Sequence, residues 1–314
     1  MVKYMTGLGI FEVAVSVAAA VTLFIYALKG FGDDVQRVGG IALRGWVERM
    51  TAHPLKAFLL GAGATALVQS SSAVASITVT LVQAGAITFR GSLPVFLGAN
   101  VGTTTTAWLV SLDAAIIGPF LIVLSAVLSV LPARIALFGR AVFYLGVVLL
   151  ALQLVSSYVS PLKQLPELAE WLAYAQNPAI GLLIGIIATA LLQSSSVIIG
   201  LAVIAVQQGF IGATDIVPII LGANIGTTST ALVASIDLGP TARHAAIANL
   251  LFNTAGVLVF LPFLGPFQAF IMALTSGGVL AVATTHLLFN IGVALLGFSL
   301  IAPIARLLGE AAAR

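Results

Sequence analysis

The sequence predicts an all-α polytopic membrane protein: two inverted-topology repeats, each with a re-entrant helical hairpin and a broken transmembrane helix, plus one extra C-terminal helix. Three observations carry that expectation. Of 314 residues, 60% are hydrophobic and 7% charged, with mean hydropathy +1.17, against about 25% charged in an ordinary soluble domain. The second observation is a gapless duplication. Gln69-Ser70-Ser71-Ser72 returns as Gln193-Ser194-Ser195-Ser196, and Gly98-Ala99-Asn100-Val101-Gly102-Thr103-Thr104 returns as Gly222-Ala223-Asn224-Ile225-Gly226-Thr227-Thr228, both 124 residues on. Residues 53–113 and 177–237 share 28 identities in 61 positions, many on polar residues, glycine and proline, which common hydrophobicity does not produce. A charge asymmetry is the third.

Taken in order, the first apolar run, Phe11 to Leu28, is long enough to cross the roughly 20-residue hydrocarbon core. Gly32 to Met50 is charged and amphipathic, and is expected to lie at the interface. Leu55 to Val68 and Ser71 to Ala84 are each too short to span and meet at the serine cluster, which reads as a re-entrant hairpin over 55–84. Leu93 to Val110 can span, but Gly98, Asn100, Gly102 and a threonine run interrupt it, so a broken helix is expected. A further span covers Ala114 to Leu131.

The second copy repeats that order. Ala141 to Tyr158 spans, Ser160 to Asn177 is polar, a hairpin covers 179–208, Ile216 to Ser235 is a broken helix, and Ala245 to Phe263 spans. The divisions are a first repeat at 1–138, a second at 139–263, and an extra helix and tail at 264–314, with the helix at Leu280 to Ile301. Three crossings per repeat, an odd number, make the second copy inverted.

Charge tests that parity. With this topology Lys29, Arg37, Arg44, Arg49, Lys56, Arg90, Arg134, Arg140, Arg243, Arg306 and Arg314 fall on one side, against Lys3 and Lys163. By the positive-inside rule the larger group is cytoplasmic. The N-terminus is then outside and the C-terminus inside. No signal peptide is evident, because Glu12 interrupts the first apolar run and no small-residue cleavage site follows it.

Composition also excludes chemistry. The chain has no cysteine, so it offers no disulfide or thiolate site. Its three histidines, His53, His244 and His286, are too scattered for a transition-metal centre, and no run of like charge grips nucleic acid.

The duplicated clusters carry the functional reading. Hydroxyls and a carboxamide at a hairpin tip are costly in hydrocarbon unless they face protein or water. A helix that starts at such a tip presents free N–H groups and the positive end of its dipole, an arrangement suited to an anion. Gln69, Ser70, Ser71, Ser72, Gln193, Ser194, Ser195 and Ser196 are the candidate anion ligands. Glycine in the broken helices permits unwound backbone whose carbonyls, with Asn100, Thr103, Thr104, Asn224, Thr227 and Thr228, offer neutral oxygens to a monovalent cation, for which sodium is the natural guess. Gln69, Ser72, Gln193 and Ser196 stand between both groups. A packing role for small and hydroxyl residues at helix contacts competes with this reading, but duplication in register favours a site.

Smaller signals leave alternatives open. Asp113 and Asp237 match by the same offset and are ion ligands or boundary residues. His244 and Asn253, and His286 with Asn290 on one helix face, line a pathway or form satisfied interhelical pairs. Gln83 and Gln207 suit packing or hydration near a hairpin mouth.

At these residues the chain resembles the type II sodium/phosphate cotransporter family, whose hallmark is a pair of QSSS motifs in inverted repeats, each followed by a GANIGTT-like motif; the likeness runs from about Gly30 to Asn290. The resemblance implies sodium-coupled symport of inorganic phosphate across the cytoplasmic membrane, with phosphate between the two QSSS tips near the bilayer midplane and sodium beside it. Expected partners are phosphate, sodium, the lipid bilayer and, for assembly, a second copy as a homodimer; no organic cofactor or nucleic acid is implied. Some bacterial members add a cytosolic helical domain, and this sequence ends at Arg314, so such control is expected from another protein or not at all.

The alternatives are transport or export of a related oxyanion such as arsenate or sulfate, and, remotely, an intramembrane serine hydrolase. Catalysis needs one nucleophile with a base in reach, and a serine triplet present twice is redundant for that.

Overall fold

A computed structural model describes residues 7–111, 114–131, 133–160, 174 and 177–312, and every regular element in them is helical. In chain order these are α1 (Gly7–Met50), α2 (Pro54–Val68), α3 (Ser71–Gln83), α4 (Phe89–Gly102), α5 (Thr104–Val110), α6 (Ala114–Ser129), α7 (Ala133–Val159), α8 (Pro178–Leu192), α9 (Ser195–Gln207), α10 (Val217–Gly226), α11 (Ser229–Ala234), α12 (Pro240–Phe260), α13 (Leu264–Thr275) and α14 (Gly278–Ala312). Among the described residues five stretches are long and apolar enough to cross a membrane: Phe11–Phe31, Phe138–Val159, Val217–Ala234, Pro240–Thr275 and Gly278–Leu308. The chain is a helical membrane protein.

Local chemistry sets the boundaries. Proline at the first helical position starts α2 and α8 after His53 and Asn177, and the Asn177 side chain accepts from the Ala179 N–H, a favourable place for a residue without a free N–H. Thr88 caps α4 by accepting from Gly91 N–H. Both first hairpin arms end on a left-handed glutamine, Gln69 at φ 55° and Gln193 at φ 53°, followed by extended Ser70 and Ser194. The two turns are therefore nearly superimposable in backbone.

Three features differ from the sequence expectation. First, the charged stretch from Gly32 to Met50 is no separate element: it continues α1 without a break, since it holds no proline to stop a helix and its glycines, the Gly39-Gly40 pair included, only weaken one. Secondly, Gly98 and Gly102 do not unwind α4. A Cβ on either would overlap the carbonyl oxygens of Phe58 and Ala62 in α2, and Gly222 and Gly226 stand in the same relation to Leu182 and Ile186 in α8. These glycines let two backbones touch. The interruption itself is slight, since Thr103 keeps helical dihedrals and an N–H bond to Ala99, and the next bond, Thr106 to Thr103, merely shortens to i−3.

The third concerns the C-terminal part. A short helix, α13, extends α12 through a 3-10 turn at Leu261–Phe263, and the chain then reverses at Ser276 to Gly278, all three at positive φ. α14 runs back antiparallel along α12, with the Phe260 and Phe289 rings 5.0 Å apart and Gly256 beneath Val293. α14 is central as well as extra. Leu97 of α4 packs with it in a core that includes Phe252 and Ile301, while Val282 and Ala283 join Phe24, Ile199 and Ile220 in another.

The α1/α7 contact is fixed by Gly30 under the Tyr144 ring and by an ion pair from Arg140 to Asp34 at 3.1 Å. Gly118 and Gly146 bring α6 against α7. Ile116, Phe120, Val123 and Val127 of α6 stay exposed, the apolar surface a bilayer covers. Asp113, Lys163, Glu167 and Glu170 lie outside the described residues, as do the side chains of Lys3, Arg37, Arg44, Arg49, Arg134 and Arg314.

Candidate functional site

The two glutamine-serine turns meet. The Ser72 hydroxyl at the start of α3 donates to the Gln193 carbonyl at 3.2 Å and lies 3.3 Å from the Thr227 hydroxyl, just beyond α10. In return the Ser196 hydroxyl at the start of α9 lies 3.3 Å from Thr106 of α5. Each hairpin's last serine thus reaches the interrupted helix of the other copy.

Between the turns is a cavity of about 420 Å³. Its polar wall is Gln69, Ser70, Ser72, Gln193, Ser194 and Thr230; its apolar wall is Ile25, Leu28, Val68, Leu192 and Val197; Lys29 is the one charged side chain lining it among the described residues. The first turns of α3 and α9 both contribute to the wall, so two positive helix ends border the space. An anion bound there would meet N–H and O–H donors and no carboxylate. Of the other serines, Ser71 and Ser195 are buried away from the cavity.

The two halves are alike in backbone and unlike in hydrogen bonding. Gln69 is 5% exposed, its Nε2 donating to Thr105 Oγ1 at 2.9 Å and its Oε1 accepting from Thr106 at 2.7 Å. Ser229 and Thr230 occupy the equivalent positions in the second copy, where both hydroxyls are buried and without a partner. Gln193 is exposed at the cavity, with no side-chain hydrogen bond among the described residues. One glutamine is clamped and the other is free. Likewise Ser70 caps α3 by accepting from Ala73 N–H, whereas Ser194 makes no such bond.

The threonines after the glycines mostly bond backward. Thr104, Thr105 and Thr228 donate to the carbonyls of Val101, Gly102 and Ile225. Those carbonyls are engaged, so the oxygens open to a cation are side-chain ones; Thr103 Oγ1 is buried and unpartnered. Asn100 donates to Asn253 Oδ1 at 3.0 Å, and Asn253 donates to Asn249. Asn224 and Asn290 donate to carbonyls four residues back, Ile220 and His286.

None of Asn100, Asn224, His244, Asn253, His286 and Asn290 lines the cavity. Asn100 instead lines a separate narrow crevice with Ser71, Thr227 and Asn249. Asp237 is exposed between α11 and α12. Gln83 accepts from the Gly239 N–H at 2.9 Å, tying the end of α3 to the start of α12, and Gln207 is exposed.

Thr105, Thr106, Ser229 and Thr230 were not singled out from the sequence. The signal was there: they extend the duplicated threonine run and end it at the matching positions Thr106 and Thr230.

Comparison with known proteins adds a family and relatives. Residues 23–157 and 164–304 match the family described as Na+/Pi-cotransporter. The chain is 35% identical over 249 residues to the uncharacterized protein YqeW of Bacillus subtilis, which covers 78% of this chain and 81% of that one. It is 30% identical over 251 residues to the putative inorganic phosphate export protein YjbB of Salmonella typhimurium, spanning 79% of this chain but 46% of that protein. A shorter stretch, 96 residues at 38% identity, matches sodium-dependent phosphate transport protein 2A of Ovis aries, 29% of this chain and 15% of the sheep protein. No solved structure matches.

Proposed function

This chain belongs to the Na+/Pi-cotransporter family, a family of transporters rather than enzymes, and from that premise we propose that it carries inorganic phosphate across the cytoplasmic membrane by sodium-coupled symport. The observation that carries the reading is the meeting of the two glutamine-serine turns around one cavity, through Ser72 to Gln193 and Thr106 to Ser196. A tetrahedral oxyanion fits such a space, because serine hydroxyls rotate to follow its oxygens.

In this reading residues 1–138 and 139–263 are inverted repeats, 264–314 is the added C-terminal part, and the hairpins at 55–84 and 179–208 are re-entrant. The N-terminus is outside and the C-terminus inside. Support comes from α12 and α14, whose antiparallel course leaves Arg243 and Arg306 at the same end of the pair, as a common cytoplasmic location requires.

Sodium is assigned to the second copy first. There the Gln193 carboxamide and the Ser229 and Thr230 hydroxyls are unengaged oxygens, whereas in the first copy the Gln69 carboxamide already fills the corresponding bonds. An ion that recruits Gln193 from the cavity wall changes the shape of the phosphate site, which is the differential contact that coupling needs.

Purified protein in sealed liposomes tests this. Labelled phosphate is expected to accumulate under an inward sodium gradient and not under an equal potassium gradient; uptake indifferent to sodium rejects the coupling. Export is the second reading, prompted by the names of the enteric relatives. Phosphate-loaded vesicles that release label without any sodium dependence would favour it.

A further inference from the structure

We propose that Lys29 is the electrostatic anchor of the cavity, a binding residue for the phosphate oxyanion that neither glutamine-serine turn supplies. The inference rests on the phosphate reading above and adds a charge to a site otherwise built of neutral donors.

Three observations converge on this side chain. Ile25, Leu28 and Lys29 all line the cavity, and their spacing of three and four residues defines one face of α1. Lys29 therefore belongs to the surface that α1 turns toward the two serine turns. Secondly, α1 is held on both sides of this face. Phe24 is buried against Gly200 of α9, Gly30 lies under the Tyr144 ring, and Asp34 is paired with Arg140 at 3.1 Å. The backbone from which Lys29 projects is thus set by packing, while its side chain stays exposed. Finally, its charge has no counterpart: no carboxylate lines the cavity or pairs with Lys29 among the described residues.

A lysine at the end of a membrane span ordinarily reaches to the interface and marks the cytoplasmic side. That role needs neither a cavity nor a fixed helix face. Here Lys29, itself exposed, shares a cavity with Val68, Leu192 and Val197, and a single positive charge at a cleft with apolar walls attracts an anion and concentrates it there. The neutral Gln and Ser groups supply direction and the lysine supplies charge.

A phosphate oxyanion also occurs on lipid headgroups, so the experiment separates the two sources. Equilibrium binding of labelled inorganic phosphate to detergent-purified protein is measured for wild type, Lys29→Gln and Lys29→Arg, and uptake is measured in liposomes of purely zwitterionic lipid and of zwitterionic lipid with anionic phospholipid. Lys29→Gln is expected to weaken phosphate binding and raise the phosphate KM by about tenfold, within the range of electrostatic focusing. At saturating phosphate the sodium half-saturation should hold, and Lys29→Arg should restore binding to within about twofold, since it returns the charge. Added choline chloride should weaken wild-type binding more than that of Lys29→Gln.

Unchanged phosphate binding by Lys29→Gln overturns the proposal, and so does an effect seen only with anionic lipid. Failure of the transport reading has a different signature, wild-type vesicles that take up no phosphate, and the binding arm still decides on Lys29. If Lys29→Gln cannot be purified folded, weak binding by Lys29→Arg together with loss of the salt effect overturns the assignment.

Discussion

The hydroxyl of Ser72 lies 3.2 Å from the carbonyl oxygen of Gln193, so a side chain from one copy of the duplicated motif bonds the backbone of the other at its left-handed turn. A second contact, 3.3 Å to Thr227, makes Ser72 the point where both motifs of the second copy are held by the first.

Replacing Ser72 by alanine removes both contacts. Interhelical hydrogen bonds of this kind contribute roughly 0.6–2 kcal/mol each, and 1.4 kcal/mol is about a factor of ten in affinity. Ser72→Ala is expected to raise the phosphate KM by about tenfold and to lower the unfolding temperature of the detergent-solubilised protein. Wild-type kinetics for this variant would show that the contact between copies does not shape the site.

The unlike glutamines give a paired prediction. Gln69→Ala removes the two hydrogen bonds to Thr105 and Thr106, each with a net contribution of about 0.5–1.5 kcal/mol, to be read as a lower unfolding temperature. Gln193→Ala breaks no side-chain hydrogen bond among the described residues and should leave that temperature unchanged while raising the sodium concentration for half-maximal uptake. Equal destabilisation by both substitutions contradicts the asymmetry.

The glycine contacts make a third. Gly98→Ala and Gly222→Ala each drive a methyl into a carbonyl of the neighbouring helix, and overpacking of this type costs about 1–3 kcal/mol. Gly63→Ala, where nothing lies within 4 Å of the added carbon, is the control and should be silent. Chemical or thermal unfolding of the three variants in one detergent is sufficient to compare them.

Much of the architecture was legible in the sequence because membranes make it so. Long apolar runs are unambiguous, and proline, glutamine and serine mark the ends of α2 and α8 in both copies alike. What the sequence obscured follows from partners far along the chain. Gly98 permits loose backbone and close packing equally well, and only the carbonyl of Phe58, forty residues earlier in α2, decides between them. Likewise the glycines and charges after Gly32 suggest a separate element, and only the lack of a proline allows α1 to run on to Met50. The contrast between Gln69 and Gln193 could not be read at all, since identical motifs carry no sign of which copy is engaged. The same is true of Lys29, whose role as a charge in the cavity depends on α1 packing beside the turns.

Both glutamine turns hold a left-handed conformation that a residue with a side chain adopts at a penalty of about 1 kcal/mol or more, and that glycine adopts freely. When the ancestral segment was copied, each descendant could drift toward the easier residue independently. Neither did, although the surrounding positions diverged at more than half of the aligned sites. The strained glutamine thus stands in both copies of the turn, which puts two carboxamides at the same point of the duplicated segment.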